Sequence, residues 1–138
     1  MKFINNSNDL AKLLNIKIAK DIKISNVSTD TRDLKPESLF FAIKGEKFNG
    51  NDYVENAIKK GACLVITDSK RFKGSNKKRI IYVNNTVVSL RKIAKNILKS
   101  IEGNIIGITG SNGKTSTTKI ISSVLNKSSG TLKNYNNE

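Results

Sequence analysis

The chain has 138 residues, 37% of them hydrophobic, and carries 25 Lys and Arg against 11 Asp and Glu for a formal net charge of +14. That length suits one ordinary domain or two small ones. A single cysteine and the lack of histidine exclude an internal disulfide and any histidine-based catalysis or metal ligation. Apolar runs such as Leu39–Ile43 fall far below the ~20 residues that span a bilayer. The N-terminus turns polar straight after Ile4, without the apolar core of a signal peptide. A cytoplasmic protein without membrane association is expected. The charge invites a nucleic-acid partner, but the basic residues are spread along the chain. Only Lys70–Lys73 with Lys77–Arg79 forms a dense cluster, and few aromatics accompany it. Joint enrichment in Lys, Asn and Ile reads as a composition bias. No nucleic-acid partner is expected, and the basic surface suits anionic nucleotide substrates instead.

In chain order, Ser7 can cap a helix that places Leu10, Leu13 and Leu14 on one face. Ile22, Ile24 and Val27 alternate loosely with polar residues, as in a half-buried strand. Ser28-Thr29-Asp30-Thr31-Arg32 follows. As a turn its composition is ordinary; as a site, hydroxyls and a guanidinium at a strand end suit a phosphate or ribose. On the residues alone the turn is the plainer choice. Leu34–Ser38 is a turn with the only proline, Leu39–Ile43 a buried strand, and Lys44–Asp52 a polar loop with two glycines.

Asn51 or Asp52 can cap the next helix, whose apolar face is Tyr53, Val54, Ala57 and Ile58 and whose end is Gly61. Cys63 sits in an apolar run and reads as a small core residue. Leu64–Ile66 and Ile80–Val83 are further strands, separated by a solvated basic loop over residues 69–79. Alternating strands and helices make this an α/β protein. Val87–Leu98 has helical apolar spacing with basic residues opposite. The Asn84-Asn85-Thr86 turn before it divides the chain into residues 1–84 and residues 85–138.

The second part holds a strand over Asn104–Thr109, the loop Gly107-Ile108-Thr109-Gly110-Ser111-Asn112-Gly113-Lys114-Thr115-Ser116, a helix over Thr117–Asn126 and a strand-like Thr131–Lys133. Strand, glycine loop and helix in that order cradle phosphates. Gly110 lies three positions before Gly113 and Gly107 six, so the standard Walker spacing of five is not met. Lys114 would reach the terminal phosphates and the Thr115 hydroxyl would ligate Mg²⁺. Such a strand needs parallel neighbours, and residues 85–138 supply too few. The expectation is a chain that stops in mid-domain.

The shortened glycine spacing of Gly107–Thr115 resembles the phosphate loop of the Mur ligases. Val27–Arg32, Leu39–Glu46 and Phe48–Tyr53 are similar to the N-terminal nucleotide-sugar-binding domain of that family. Thr117-Thr118-Lys119 and Asn134–Glu138 are most like the branch that adds D-Ala-D-Ala, with the tripeptide-forming branch next. The resemblance implies a small N-terminal α/β UDP-binding domain followed by the truncated start of a P-loop parallel-sheet ATPase domain.

It further implies that the enzyme uses ATP and Mg²⁺ to convert the terminal carboxylate of UDP-N-acetylmuramoyl-tripeptide into an acyl phosphate. The amine of D-Ala-D-Ala then attacks that acyl phosphate. By position, Lys114 would be catalytic, and Thr109, Gly110, Ser111, Asn112, Gly113, Lys114, Thr115 and Ser116 would hold ATP, with Thr115 on the metal. Ser28, Thr29, Thr31, Arg32, Lys44 and Gly45 would lie at the uridine-diphosphate pocket, and Asn136 and Asn137 would face the substrate.

Where the family often has Asp-Gly-His, this chain has Asn49-Gly50-Asn51. The family's other metal ligands, its modified lysine, its adenine pocket and its C-terminal domain would lie beyond Glu138. A monomer, inactive by itself, is expected. Two other classes stay open on the residues: a non-catalytic UDP-sugar-binding module, and a basic P-loop protein associated with nucleic acid.

Overall fold

Ser38-Leu39-Phe40-Phe41-Ala42 is buried at every position, which an interior strand of a parallel sheet covered on both faces requires. The computed structural model describes residues 4–18, 20–75 and 77–126. Within it, β1 (Asn26–Ser28), β2 (Ser38–Ala42), β3 (Leu64–Thr67) and β4 (Ile80–Tyr82) form a sheet of order β1-β2-β3-β4. All three pairings are parallel, with Val27 opposite Leu39, Phe40 opposite Val65 and Ile66 opposite Ile81. The α/β class expected from the sequence is therefore the one observed.

Side chains alternate between the two faces with the period of the strand. Leu39, Phe41, Leu64 and Ile66 point to one side. There they join Leu10 of α1 (Ser7–Leu14) and Ile93 of α3 (Thr86–Lys99) in one cluster. Phe40, Ala42 and Val65 point to the other and join Val54 and Ala57 of α2 (Val54–Lys59), with Phe72. Each of the fully buried Leu, Ile and Phe side chains contributes about 1.5–3 kcal/mol by leaving water. The segment over residues 69–79 is thus more than a solvated loop. Phe72, on a 3₁₀ turn at Lys70–Phe72, is only 6% exposed and pins it to the sheet.

Two caps differ from expectation. Asn6, not Ser7, caps α1 by accepting from the Asp9 N–H at 2.9 Å. Ser7 is buried and spends its hydroxyl on tertiary partners, donating to Lys20 O and accepting from Ile22 N. Asn49, not Asn51 or Asp52, caps the 3₁₀ turn Gly50–Tyr53 that leads into α2. Gly61 ends α2 as expected, at φ 99 with its N–H on Ile58 O.

Packing divides the chain into residues 1–102 and 103–138, later than the expected division after Asn84. The reason is α3, which packs on α1 and β2 and places Ile93 in the first core. In the second unit α4 spans Lys114–Leu125. The strand expected over Asn104–Thr109 is not formed. Those residues pair with no strand, and Ile105 and Ile106 are 59% and 55% exposed. A parallel strand is held by its neighbours, and none of the described residues supplies one here. The strand-like Thr131–Lys133 lies outside the described residues.

Candidate functional site

Loops at the carboxyl ends of parallel strands are where open α/β sheets bind ligands. The connection leaving β1 and the loop leaving β2 line one cleft of about 260 Å³, walled by Thr29, Asp30, Thr31, Arg32, Phe40, Ile43, Phe48, Gly50 and Tyr53.

The first wall is a tight turn. The Ser28 hydroxyl donates to Asp30 O and accepts from Asp30 N at 3.1 Å. The Asp30 carboxylate then accepts from Arg32 N at 2.8 Å and Arg32 Nε at 2.9 Å. Lys60 Nζ, just past the end of α2, reaches across to Thr31 O at 2.9 Å. The hydrogen bond from the Arg32 side chain holds the Asp30 carboxyl well below its ordinary value, at about 2. A depressed carboxylate pKa contributes stability above the unfolded value and loses it as pH falls through the folded one. The turn therefore keeps its ion pair at neutral pH and releases it only in strong acid, near pH 2.

The second wall is a braced hairpin. Gly50 N donates to Ile43 O at 2.8 Å and Gly45 N to Phe48 O at 2.8 Å, with an antiparallel bridge between Lys44 and Asn49. A Cβ on Gly50 would lie 2.6 Å from both Ile43 N and Ile43 O, so only glycine lets the two strands of this loop meet. Behind it sits a buried polar network. Asn51 Nδ2 donates to Asp68 Oδ1 at 2.8 Å, Thr67 Oγ1 donates to Asn51 Oδ1 at 2.6 Å, and Asp68 Oδ2 accepts from Thr86 N and Oγ1. Burial pushes the Asp68 carboxyl up, but the bonds from Asn51 and Thr86 outweigh it and leave the pKa lowered. Asn51, 7% exposed, is thus a structural joint between the cleft, β3 and α3.

Of the expected substrate residues, the structure brings Thr29, Thr31 and Arg32 into the cleft wall. Ser28 lies just behind, tying down Asp30, and Lys44 and Gly45 lie on the first strand of the hairpin, opposite Asn49 and Phe48. Asn136 and Asn137 lie outside the described residues. Asp30, Phe48 and Tyr53 are additions. The sequence places Tyr53 on the apolar face of a helix, yet it sits on the 3₁₀ turn and is 43% exposed. A phenylalanine in a polar, glycine-flanked loop was the available signal for Phe48.

A larger hollow of about 520 Å³ runs along the free edge of β1, lined by Ile4, Asn5, Lys23–Val27 and Ile97. Its one charged side chain, Lys23, is already paired with Glu37 at 3.0 Å. The smaller cleft has the chemistry.

In the second unit, Gly110 at φ 151 and Gly113 at φ 78 shape a loop that runs directly into α4, with Gly113 as the N-cap. Lys114, the first helical residue, folds its Nζ back onto Gly110 O at 2.9 Å. Thr109–Gly113, Thr115 and Ser116 are exposed. The first N–H groups of a helix have no carbonyl partner within it and favour an anion. Ammonium, hydroxyl and glycine-shaped backbone form a donor set that fits a polyphosphate with a hard cation.

A profile of the Mur ligase family, catalytic domain, matches residues 23–101, the segment holding the cleft and ending before the loop at Gly107. The chain is 39% identical over 102 residues to the UDP-N-acetylmuramoyl-tripeptide–D-alanyl-D-alanine ligase of Bacillus subtilis, covering 74% of this chain and 22% of that protein. It is 40% identical over 114 residues to the UDP-N-acetylmuramoyl-L-alanyl-D-glutamate–2,6-diaminopimelate ligase of Caldanaerobacter subterraneus, covering 80% of this chain and 23% of that one. A crystal structure of MurF ligase from Thermotoga maritima in complex with ADP superposes with a TM-score of 0.62 at 31% identity, over 75% of this chain and 23% of the other. The chain spans under a third of the length of each of these relatives.

Proposed function

The chain belongs to the Mur ligase family, and from that membership we propose that it forms the N-terminal part of a cytoplasmic, ATP-dependent ligase of peptidoglycan precursor synthesis. The bond made is between UDP-N-acetylmuramoyl-tripeptide and D-Ala-D-Ala. The observation that carries this is one chain holding both a polar cleft at the ends of β1 and β2 and a glycine loop opening a helix with Lys114.

Residues up to Glu102 are assigned to the UDP-sugar and residues from Gly103 onward to ATP. In the cleft, Thr29 and Thr31 offer hydroxyls. Arg32, oriented by Asp30, keeps further N–H donors for a diphosphate. In the loop, Lys114 would exchange its bond to Gly110 O for the terminal phosphates of ATP, and backbone N–H groups of Gly110–Gly113 would complete the cradle. Mg²⁺ held by Thr115 would screen the charge of those phosphates.

A carboxylate oxygen of the peptide then bonds to the γ-phosphorus as the bond to ADP breaks. The incoming amine next attacks the acyl carbon, and phosphate leaves. Lys114 contributes by neutralising charge that collects on the transferred group. The remaining rate comes from alignment of the three reactants. Taken alone, these 138 residues are proposed to bind without ligating.

The diaminopimelate-adding reaction is the second reading, and the 40% identity to the Caldanaerobacter enzyme favours it. Mass spectrometry of the full-length protein with ATP separates the two. Under the proposal, UDP-N-acetylmuramoyl-tripeptide gains the mass of D-Ala-D-Ala less water. Growth only of the dipeptide substrate, by diaminopimelate, would move the chain to the other branch.

A further inference from the structure

The cleft contains an asymmetry that its polar residues do not explain. Phe40, Phe41 and Phe72 are each at most 6% exposed, yet Phe48 is 73% exposed and Tyr53, on the following turn, 43%. Both rings line the same cleft as Thr29–Arg32. Phe48 is not at the tip of a loose loop. Its own carbonyl accepts from Gly45 N, its neighbour Asn49 bridges Lys44, and Gly50 locks onto Ile43 at a separation that admits no side chain. The sequence therefore builds a rigid hairpin whose product is one presented aromatic ring.

We propose that Phe48, with Tyr53, is the specificity-determining platform for the nucleobase: a planar pyrimidine stacks on these rings while the Arg32 wall takes the diphosphate. This rests on the UDP-sugar assignment of the cleft and adds the orientation of the nucleotide within it. Flat rings suit such a role, because offset stacking gains contact area at little cost in side-chain freedom. The opposite wall can take a phosphate, since Arg32 bonds Asp30 through Nε and one Nη and keeps its other Nη as a donor. A nucleotide laid the other way round would place its phosphates against apolar rings.

Calorimetric titration of the full-length protein with UDP, ribose 5-phosphate and pyrophosphate tests this. Phe48→Ala is expected to weaken UDP binding about tenfold or more and leave pyrophosphate affinity unchanged, while Phe48→Tyr keeps wild-type affinity for all three. Phe48 is exposed, so folding should be undisturbed, and a circular dichroism spectrum equal to wild type confirms it. Wild-type UDP affinity in Phe48→Ala would overturn the platform while sparing the cleft. Equal losses for UDP and pyrophosphate would also overturn it, since the ring would then act through general shape. If the wild-type protein binds no UDP at all, the underlying assignment falls and takes the platform with it.

Discussion

Lys114→Ala in the full-length ligase is expected to lower turnover by roughly 10²–10³-fold or more, the scale on which a preorganised charge partner acts in a water-excluded site. The side chain is half-buried at the start of α4 and rests on Gly110 O at 2.9 Å, so its ammonium is held over the loop before any phosphate arrives. Alanine is the best helix former, and at the first helical position it should leave α4 intact. The loss should therefore appear in turnover, with the unfolding midpoint close to wild type. Product formation in the variant at the wild-type rate would remove Lys114 from the catalytic machinery.

Gly50→Ala should have the largest effect on stability. The added Cβ would meet backbone atoms on two sides, 2.6 Å from Ile43 N and O and 2.9 Å from Ala42 C. Backbone cannot rotate away as a flexible side chain can. Either the Gly50–Ile43 hydrogen bond at 2.8 Å breaks or the end of β2 shifts within a packed core. Overpacking and a lost backbone hydrogen bond together are expected to cost about 3 kcal/mol or more, read as a fall in the urea midpoint at unchanged slope. Gly107→Ala is the control, since nothing lies within 4 Å of the added carbon there. Equal stabilities for the two variants would show that the hairpin is not closed as described.

Most of the sheet was legible because burial on both faces forces continuous apolar runs. Leu39–Ile43, Leu64–Ile66 and Ile80–Val83 each mark a strand to within a residue of its observed bounds. Helices α1 and α3 were legible from apolar spacing. The caps were not. Ser7 has the right chemistry for an N-cap, but its hydroxyl is taken by Lys20 and Ile22, partners distant in sequence. Asn51 was lost in the same way, drawn into Thr67 and Asp68. Phe72 looked solvated because its neighbours are basic. In fact Arg71 lies over its ring at 4.6 Å, letting a cation cover an anchored aromatic.

The division of the chain misled for a related reason. A polar Asn-Asn-Thr turn looks like a linker, yet Asn85 caps α3 and Thr86 bonds Asp68, so the turn belongs to the first unit. The cleft itself was half visible: Thr29, Thr31 and Arg32 came from the sequence, whereas Phe48 and Tyr53 needed the hairpin and the 3₁₀ turn to bring them opposite.

The nucleotide sugar is expected in the cleft at the ends of β1 and β2, and amide chemical-shift mapping of the chain with UDP-N-acetylmuramoyl-tripeptide measures that. Saturable shifts at Thr29–Arg32 and Lys44–Tyr53 are expected, with Ile4, Lys23–Val27 and Ile97 unmoved. Shifts confined to the hollow along β1, or none at saturating ligand, would contradict it.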